Sequence, residues 1–234
     1  MSGYNDADAM EGAFNRWLES APEGREFPLP TTCDAQECAK YLHRRLRERN
    51  VDYYFCGGFA CINCINLSCL DTTPRRISDV NIVVPNGDEG YGELLRILRG
   101  GPFIEYDRSH YYFAHSEKFV KVDCIIGGWM AFPKVSEARI IKGVQETQLQ
   151  FLDPMGLLHL KLSSWANKAR RGGPKRENDI KDVKDLRDIL IGAGKKMDLR
   201  GLDKDMAAGL EAWVSEHKDR QEWKKLDKNY GGRF

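Results

Sequence analysis

Apolar residues recur at helical spacing from the start of the chain. Met10, Ala13, Phe14, Trp17 and Leu18 predict a short amphipathic helix, which Pro22, Pro28 and Pro30 end. Asp34 followed three residues later by Glu37 reads as a capping box, and Cys38, Tyr41, Leu42 and Leu46 carry a helix to about Arg49, with a basic, solvated opposite face. The period then changes. The aromatic run Tyr53 to Cys56 predicts a strand ending at Gly57-Gly58, and Phe59 to about Leu67 predicts the next helix. After a polar turn from Asp71 to Ser78, which carries Pro74, Arg75 and Arg76, the β-branched run Val80, Ile82, Val83, Val84 predicts a strand that stops at Pro85-Asn86-Gly87.

Leu94, Leu95, Ile97 and Leu98 place a helix closed by Gly100-Gly101. Phe103 to Tyr106, His110 to Ala114 and Phe119 to Ile126 read as strands, the last interrupted by the charges of Lys121 and Asp123. Beyond Phe132, Ile140-Ile141 and Gln148 to Leu152 read as short strands. Asp153-Pro154 starts a helix carrying Leu157, Leu158, Leu160 and Leu162, and a second helix runs from about Ile180 to Ile191. The charged remainder, anchored by Leu210, Trp213 and Trp223, reads as a helical tail packed loosely on the body. The expected class is α+β, a mixed sheet with flanking helices and a C-terminal helical part. Its expected parts are N-terminal helices over residues 1–50, a core over 51–152 and a helical region over 153–234.

Composition narrows the function classes. Lys and Arg total 36 against 35 Asp and Glu, so any nucleic-acid site must be local. No apolar run approaches the roughly 20 residues that span a bilayer, and a cytoplasmic protein with no membrane partner is expected. The seven cysteines are an odd count, with Cys56, Cys61 and Cys124 in apolar segments, which fits free thiols in a reducing compartment. Cys56, Cys61, Cys64 and Cys69 are also spaced like a metal or cluster site, but no histidine lies nearby. Small buried thiols are the plainer reading.

Phosphoryl transfer needs backbone N–H groups near a helix start to hold phosphate and carboxylates to hold magnesium. Gly57-Gly58, between a strand and a helix, suits the first role and is also an ordinary turn. Asp79 and Asn81 leave one face of their strand while Val80 and Ile82 leave the other. Asp123 alternates with Val122 and Cys124, and on a neighbouring strand it would join Asp79. Set against this, Asp79 can cap its strand and Asp123 can face solvent on an edge. Lys161, between Leu160 and Leu162, must either snorkel or meet an anion. Asp179, Asp182 and Asp185 taken alone read as a solvated face with Lys181, Lys184 and Arg187. The basic loop Lys168 to Arg176 fits a solvated linker, or a contact with nucleic acid or an acidic partner, and the five histidines have no metal-ligand spacing.

The order Gly57-Gly58, helix, arginine-bearing turn, Asp79-Val80-Asn81, then Asp123 in a later strand resembles the DNA polymerase beta-like nucleotidyltransferases. Lys161, Lys168, Arg170, Asp179, Asp182 and Asp185-Leu186 are similar to the helical part of the AbiEii-like and minimal nucleotidyltransferase branch. The resemblance covers roughly Tyr53 to Leu190. It implies that Gly57 and Gly58 bind a nucleoside triphosphate, that Asp79 and Asp123 are catalytic and hold Mg or Mn with Asn81, and that Lys161 contacts the phosphates. Asp179 and Asp182 would lie near the nucleotide and orient basic groups. The chain departs from the pattern in having Asn81 where a second carboxylate is expected, and in its longer spacer between Gly58 and Asp79. The expected activity is transfer of a nucleoside monophosphate from a triphosphate to an acceptor hydroxyl or phosphate, on RNA, a protein or a small molecule. The alternative is a catalytically silent fold that binds a nucleotide or a protein, with Asn81 as its sign.

Overall fold

The computed structural model describes residues 7–19, 30–67, 77, 79–85, 87–107, 110–115, 118–126, 140–142, 149–167, 171–173, 175–199, 202, 204–227 and 230. Pro22, Pro28, Cys69, the segment Leu70 to Thr73, Pro74, Arg75, Arg76 and, from the basic loop, Lys168, Arg170 and Pro174 lie outside them, as do the side chains of Trp17 and Leu18. In chain order the described elements are α1 (Ala7–Glu19), α2 (Thr32–Glu48), β1 (Tyr54–Cys56), α3 (Gly57–Leu67), β2 (Asp79–Val84), α4 (Gly87–Arg99), β3 (Phe103–Asp107), β4 (His110–His115), β5 (Lys118–Ile126), β6 (Ile140–Lys142), β7 (Gln150–Leu152), α5 (Pro154–Trp165), α6 (Arg176–Gly192), α7 (Lys204–His217) and α8 (Arg220–Leu226). The sheet is mixed, in the order β3-β4-β5-β2-β1-β7-β6. The chain divides into two compact units, one of Met1–Phe59, Pro74–Met130 and Lys142–Phe151, the other of Ala60–Thr73, Ala131–Ile141 and Leu152–Phe234. No described helix is long and apolar enough to cross a membrane.

In the first unit, β2 runs parallel to β5 and antiparallel to β1, and β3, β4 and β5 form an antiparallel meander. One face of this sheet is apolar. Val80, Ile82 and Val84 of β2, Val120 and Val122 of β5 and Phe113 of β4 are buried there. Helices α2 and α4 pack on the strands, bringing Ala35, Cys38, Leu42 and Leu46 from α2 and Leu94, Ile97 and Leu98 from α4 into the core. Burying a Leu or Val side chain is worth about 1.5–3 kcal/mol, so this two-layer contact dominates the stability of the unit. Tyr41 of α2 packs edge-on against Phe103. On the opposite face Phe14 of α1 packs against Tyr112 and Phe119.

The capping box of α2 lies one turn earlier than expected. Thr31 is the N-cap and Asp34 the N3 residue: Thr31 Oγ1 accepts from the Asp34 N–H, and Asp34 Oδ2 accepts from the Thr31 N–H at 2.7 Å. Glu37 instead faces solvent and pairs with Lys40. Asp34 was drawn inward because His115 Nδ1 (3.0 Å) and Lys118 Nζ (3.2 Å) reach it from the β4–β5 hairpin, so one carboxylate both caps the helix and ties the hairpin to it.

The second unit corrects the picture of a loose tail. Trp213, Trp223, Leu210, Val214 and Leu226 are buried, and α7 packs directly on α5. A Cβ at Gly209 would collide with the Leu162 carbonyl, so the two helices touch backbone to backbone at this residue. Trp165 and Trp213 meet edge-to-face at 5.0 Å. The Asp219 carboxylate accepts from Arg187 Nη1 (2.6 Å), Trp213 Nε1 (2.9 Å) and Trp223 Nε1 (3.1 Å), which joins α6, α7 and α8 through one partly buried network.

Candidate functional site

The face of the first unit's sheet opposite α2 and α4 carries the polar groups. Val80 and Ile82 take the buried side of β2, so strand alternation sends Asp79 and Asn81 to the other. The parallel register of β2 and β5 pairs Asn81 with Asp123 and Asp79 with Lys121. Paired residues share a face and neighbouring strands lie about 4.8 Å apart, so Asp79, Asn81 and Asp123 form one cluster. These three expected site residues are therefore brought together.

Gly57 enters the cluster from the adjacent strand. Cys56 pairs with Asn81 across β1 and β2, and the chain then turns into α3 at Gly57 with φ +66°. A Cβ there would lie 2.9 Å from Asn81 Cγ and closer still to its amide nitrogen. Glycine is required twice, for the left-handed backbone and for the close approach of Asn81. The Asn81 amide thus sits against the first residue of a helix, where backbone N–H groups are unsatisfied by the helix itself. Gly58 is the second residue of α3.

Two further groups border Asp123. Lys121, two residues earlier on the same face of β5, places Nζ 2.8 Å from Asp123 Oδ1. His110, the cross-strand partner of Asp123 on β4, places Nε2 at 3.9 Å from the same oxygen. Asp123, Lys121 and His110 are 26%, 32% and 36% exposed, so solutes reach them. In the sequence Lys121 interrupts an apolar strand and His110 is one of five scattered histidines. The signal for both was present: alternation puts Lys121 beside Asp123, and counting back from the closing pair His115–Lys118 of the β4–β5 hairpin puts His110 opposite it.

Lys161, Asp179 and Asp182 come together in the second unit. Lys161 Nζ is 2.7 Å from both Asp179 Oδ1 and Asp182 Oδ2, and the three side chains are 10%, 4% and 1% exposed. The i,i+3 spacing on α6 puts both carboxylates on one face, opposite the lysine of α5. Burial alone lowers the ammonium pKa, but the charge of Asp182, then Cys61 and Asp179, outweighs it and holds the pKa above its ordinary value. The interior lysine has met an anion, and the anion is protein. Asp179 and Asp182 are accordingly buried, not part of a solvated face.

Three of the described thiols are poor nucleophiles. Burial pushes Cys64 and Cys124 up to about 12 and Cys38 well above its ordinary range, so these three are protonated at neutral pH. Cys56, Cys61 and Cys64 are buried, as small core thiols are. Among the described residues no three His, Cys, Asp or Glu side chains are placed to hold a metal ion, and the oxygen donors grouped on this face are the carboxylates of Asp79 and Asp123 and the amide of Asn81. Two carboxylates and an amide are an all-oxygen donor set that suits a hard cation such as magnesium.

A mixed sheet with a strand, a glycine turn and a helix beside a strand bearing Asp79 and Asn81 is a nucleotidyltransferase-like α+β fold. Among solved structures, the chain is similar to an antigenic nucleotidyltransferase-like protein from Paracoccidioides brasiliensis, with a TM-score of 0.58, 16% identity and coverage of 84% of this chain and 94% of that one. It also matches ANT(2")-Ia in complex with adenylyl-2"-tobramycin (TM-score 0.47, 17% identity, 77% of this chain and 99% of that one). A third match is the Megavirus polyadenylate synthase (TM-score 0.42, 17% identity, 85% of this chain and 40% of that one). No family model matches the chain. No curated protein matches it.

Proposed function

We propose that the protein is a nucleotidyltransferase that moves a nucleoside monophosphate from a nucleoside triphosphate to an acceptor hydroxyl or phosphate and releases pyrophosphate. The observation that carries this reading is the convergence of Asp79, Asn81 and Asp123 on one sheet face against Gly57 at the start of α3. In this reading Asp79 and Asp123, with Asn81, hold magnesium or manganese. The metal, when bound, offsets the charge of the triphosphate and favours an ionised acceptor oxygen. Gly57 and Gly58 give the polyphosphate access to backbone N–H groups.

We infer membership of the AbiEii-like and minimal nucleotidyltransferase branch from the run Lys161, Asp179, Asp182 and Asp185-Leu186, with Asn81 standing where a second carboxylate is expected. A neutral amide there lowers the negative charge of the site, so metal is held less firmly than by three carboxylates. Lys161 is left out of the phosphate contacts, because Asp179 and Asp182 already engage its ammonium. The acceptor is RNA, a protein or a small molecule. Incubation with each labelled triphosphate plus Mg or Mn, followed by assay of pyrophosphate and of label in protein and RNA, tests the proposal. Turnover that disappears in Asp79→Ala and in Asp123→Ala supports it. No turnover with any triphosphate or metal favours the silent, ligand-binding fold.

A further inference from the structure

Lys121 is a charged group on the site face to which the function above gives no part. It is the cross-strand partner of Asp79, and its ammonium is bound to Asp123 at 2.8 Å. It therefore flanks one carboxylate while neutralising the other. Lys121 takes up Asp123 Oδ1, so a divalent ion shared by Asp79 and Asp123 must use Asp123 Oδ2 or compete with the ammonium for Oδ1. The charges agree with the geometry. With Asn81 neutral, the two carboxylates and one ammonium leave little net negative charge to hold a second divalent ion. An ammonium offers three donors, and Lys121 is about one-third exposed, so donors remain for an anion arriving from solvent.

We propose that Lys121 is a built-in cation that stands in for one metal ion, so that the site takes a single divalent cation while Lys121 itself holds an oxygen of the triphosphate. The inference rests on the nucleotidyltransferase reading and deepens it: the substrate is an anion recognised partly by protein charge. Alternation places Lys121 beside Asp123, and the β2–β5 register places it beside Asp79, so the arrangement is built into the strands.

Lys121 opposes metal and favours polyphosphate, so its removal should move the two affinities in opposite directions. The experiment is calorimetry of ATP binding in the presence of a chelator, together with Mn²⁺ titration counted by electron paramagnetic resonance with ATP present. The proteins compared are the wild type, Lys121→Met and Lys121→Arg. The wild type is expected to bind ATP without metal and one Mn²⁺ with it. Lys121→Met should lose about tenfold or more in metal-free ATP affinity and bind Mn²⁺ several-fold more tightly or in a second equivalent. Lys121→Arg, which keeps the charge, should stay near the wild type in both. Two Mn²⁺ ions in the wild type, or unchanged or jointly weakened affinities in Lys121→Met, overturn the role of Lys121 and leave the nucleotidyltransferase reading standing. No ATP binding under any condition overturns both.

Discussion

At the scale of single residues, the site turns on Gly57 and Asn81, which pack against each other. Gly57→Ala places a methyl group into the Asn81 side chain and forces a left-handed backbone that costs an L-residue about 1–2 kcal/mol. The expected result is a melting temperature lowered by about 2–8 °C, with weaker triphosphate binding because Asn81 must move. An unchanged melting curve and unchanged ATP affinity would show that the turn relaxes freely. Gly58→Asp should keep the fold and abolish triphosphate binding, because its carboxylate repels phosphate; calorimetry with ATP checks this. Asn81→Asp should tighten Mg²⁺ binding several-fold and reduce any dependence on Mn²⁺, since a third carboxylate joins the face shared by Asp79 and Asp123. Equal Mg²⁺ affinities in the wild type, Asn81→Asp and Asp79→Ala would mean that this strand edge is not a metal site.

At the scale of elements, polar groups join what alternation and helical periodicity define. The strand and helix positions were legible because burial follows the periods of 2 and 3.6: Val80 and Ile82 against Asp79 and Asn81, Leu42 and Leu46 against Arg44 and Arg47. The cap of α2 was not, because the choice between Asp34 as N-cap and Asp34 as N3 depends on His115 and Lys118, some eighty residues away. That carboxylate also predicts an acid response. Burial raises its pKa, but the N–H and hydroxyl of Thr31, then His115 and Lys118, outweigh it and hold the carboxyl well below the ordinary range. Its folded pKa is depressed, so its contribution is complete above the unfolded value, about 3.9, and is lost as pH falls below that. Asp34→Asn should flatten the loss of stability below about pH 4, read from urea midpoints across pH. A wild-type acid limb in the variant would remove Asp34 from the account. The Lys161 triad was half legible: an anion was expected, and only tertiary contact shows that Asp179 and Asp182 supply it. Lys161→Met takes the ammonium away from two buried carboxylates and should cost about 3–5 kcal/mol by denaturant unfolding. Changing all three residues to apolar ones of similar volume should recover most of that loss. No recovery would mean that the ions have a role beyond pairing.

At the scale of the whole molecule, strand order and register were the least legible feature, because they are set by contacts between segments far apart in sequence. Asn81 and Asp123 are 42 positions apart in the numbering, yet they are paired neighbours. The division into two units had no single sequence marker either, since α3 begins in one at Gly57 and continues in the other from Ala60. The candidate metal and glycine residues, Asp79, Asn81, Asp123 and Gly57, all lie in the first unit. That placement leads to a prediction about cooperativity. A ligand bound only to the native state stabilises by about 2.7 kcal/mol at a concentration 100 times its dissociation constant. For a chain melting as one cooperative block of this size, that is a rise of about 5–10 °C for every probe. If the units melt separately, the same ligand should raise the first unit's transition and leave the second near its unliganded temperature. Amide exchange followed by mass spectrometry, with and without magnesium and ATP, reads the two outcomes peptide by peptide. Protection is expected in peptides covering Tyr54–Cys56, Asp79–Val84 and Lys118–Ile126, and it should vanish in Asp79→Ala without loss of the unliganded melting temperature. Protection centred instead on Pro154–Trp165 and Arg176–Gly192, where Lys161, Asp179 and Asp182 lie, would move the ligand site to the buried triad and take the function away from the strand face.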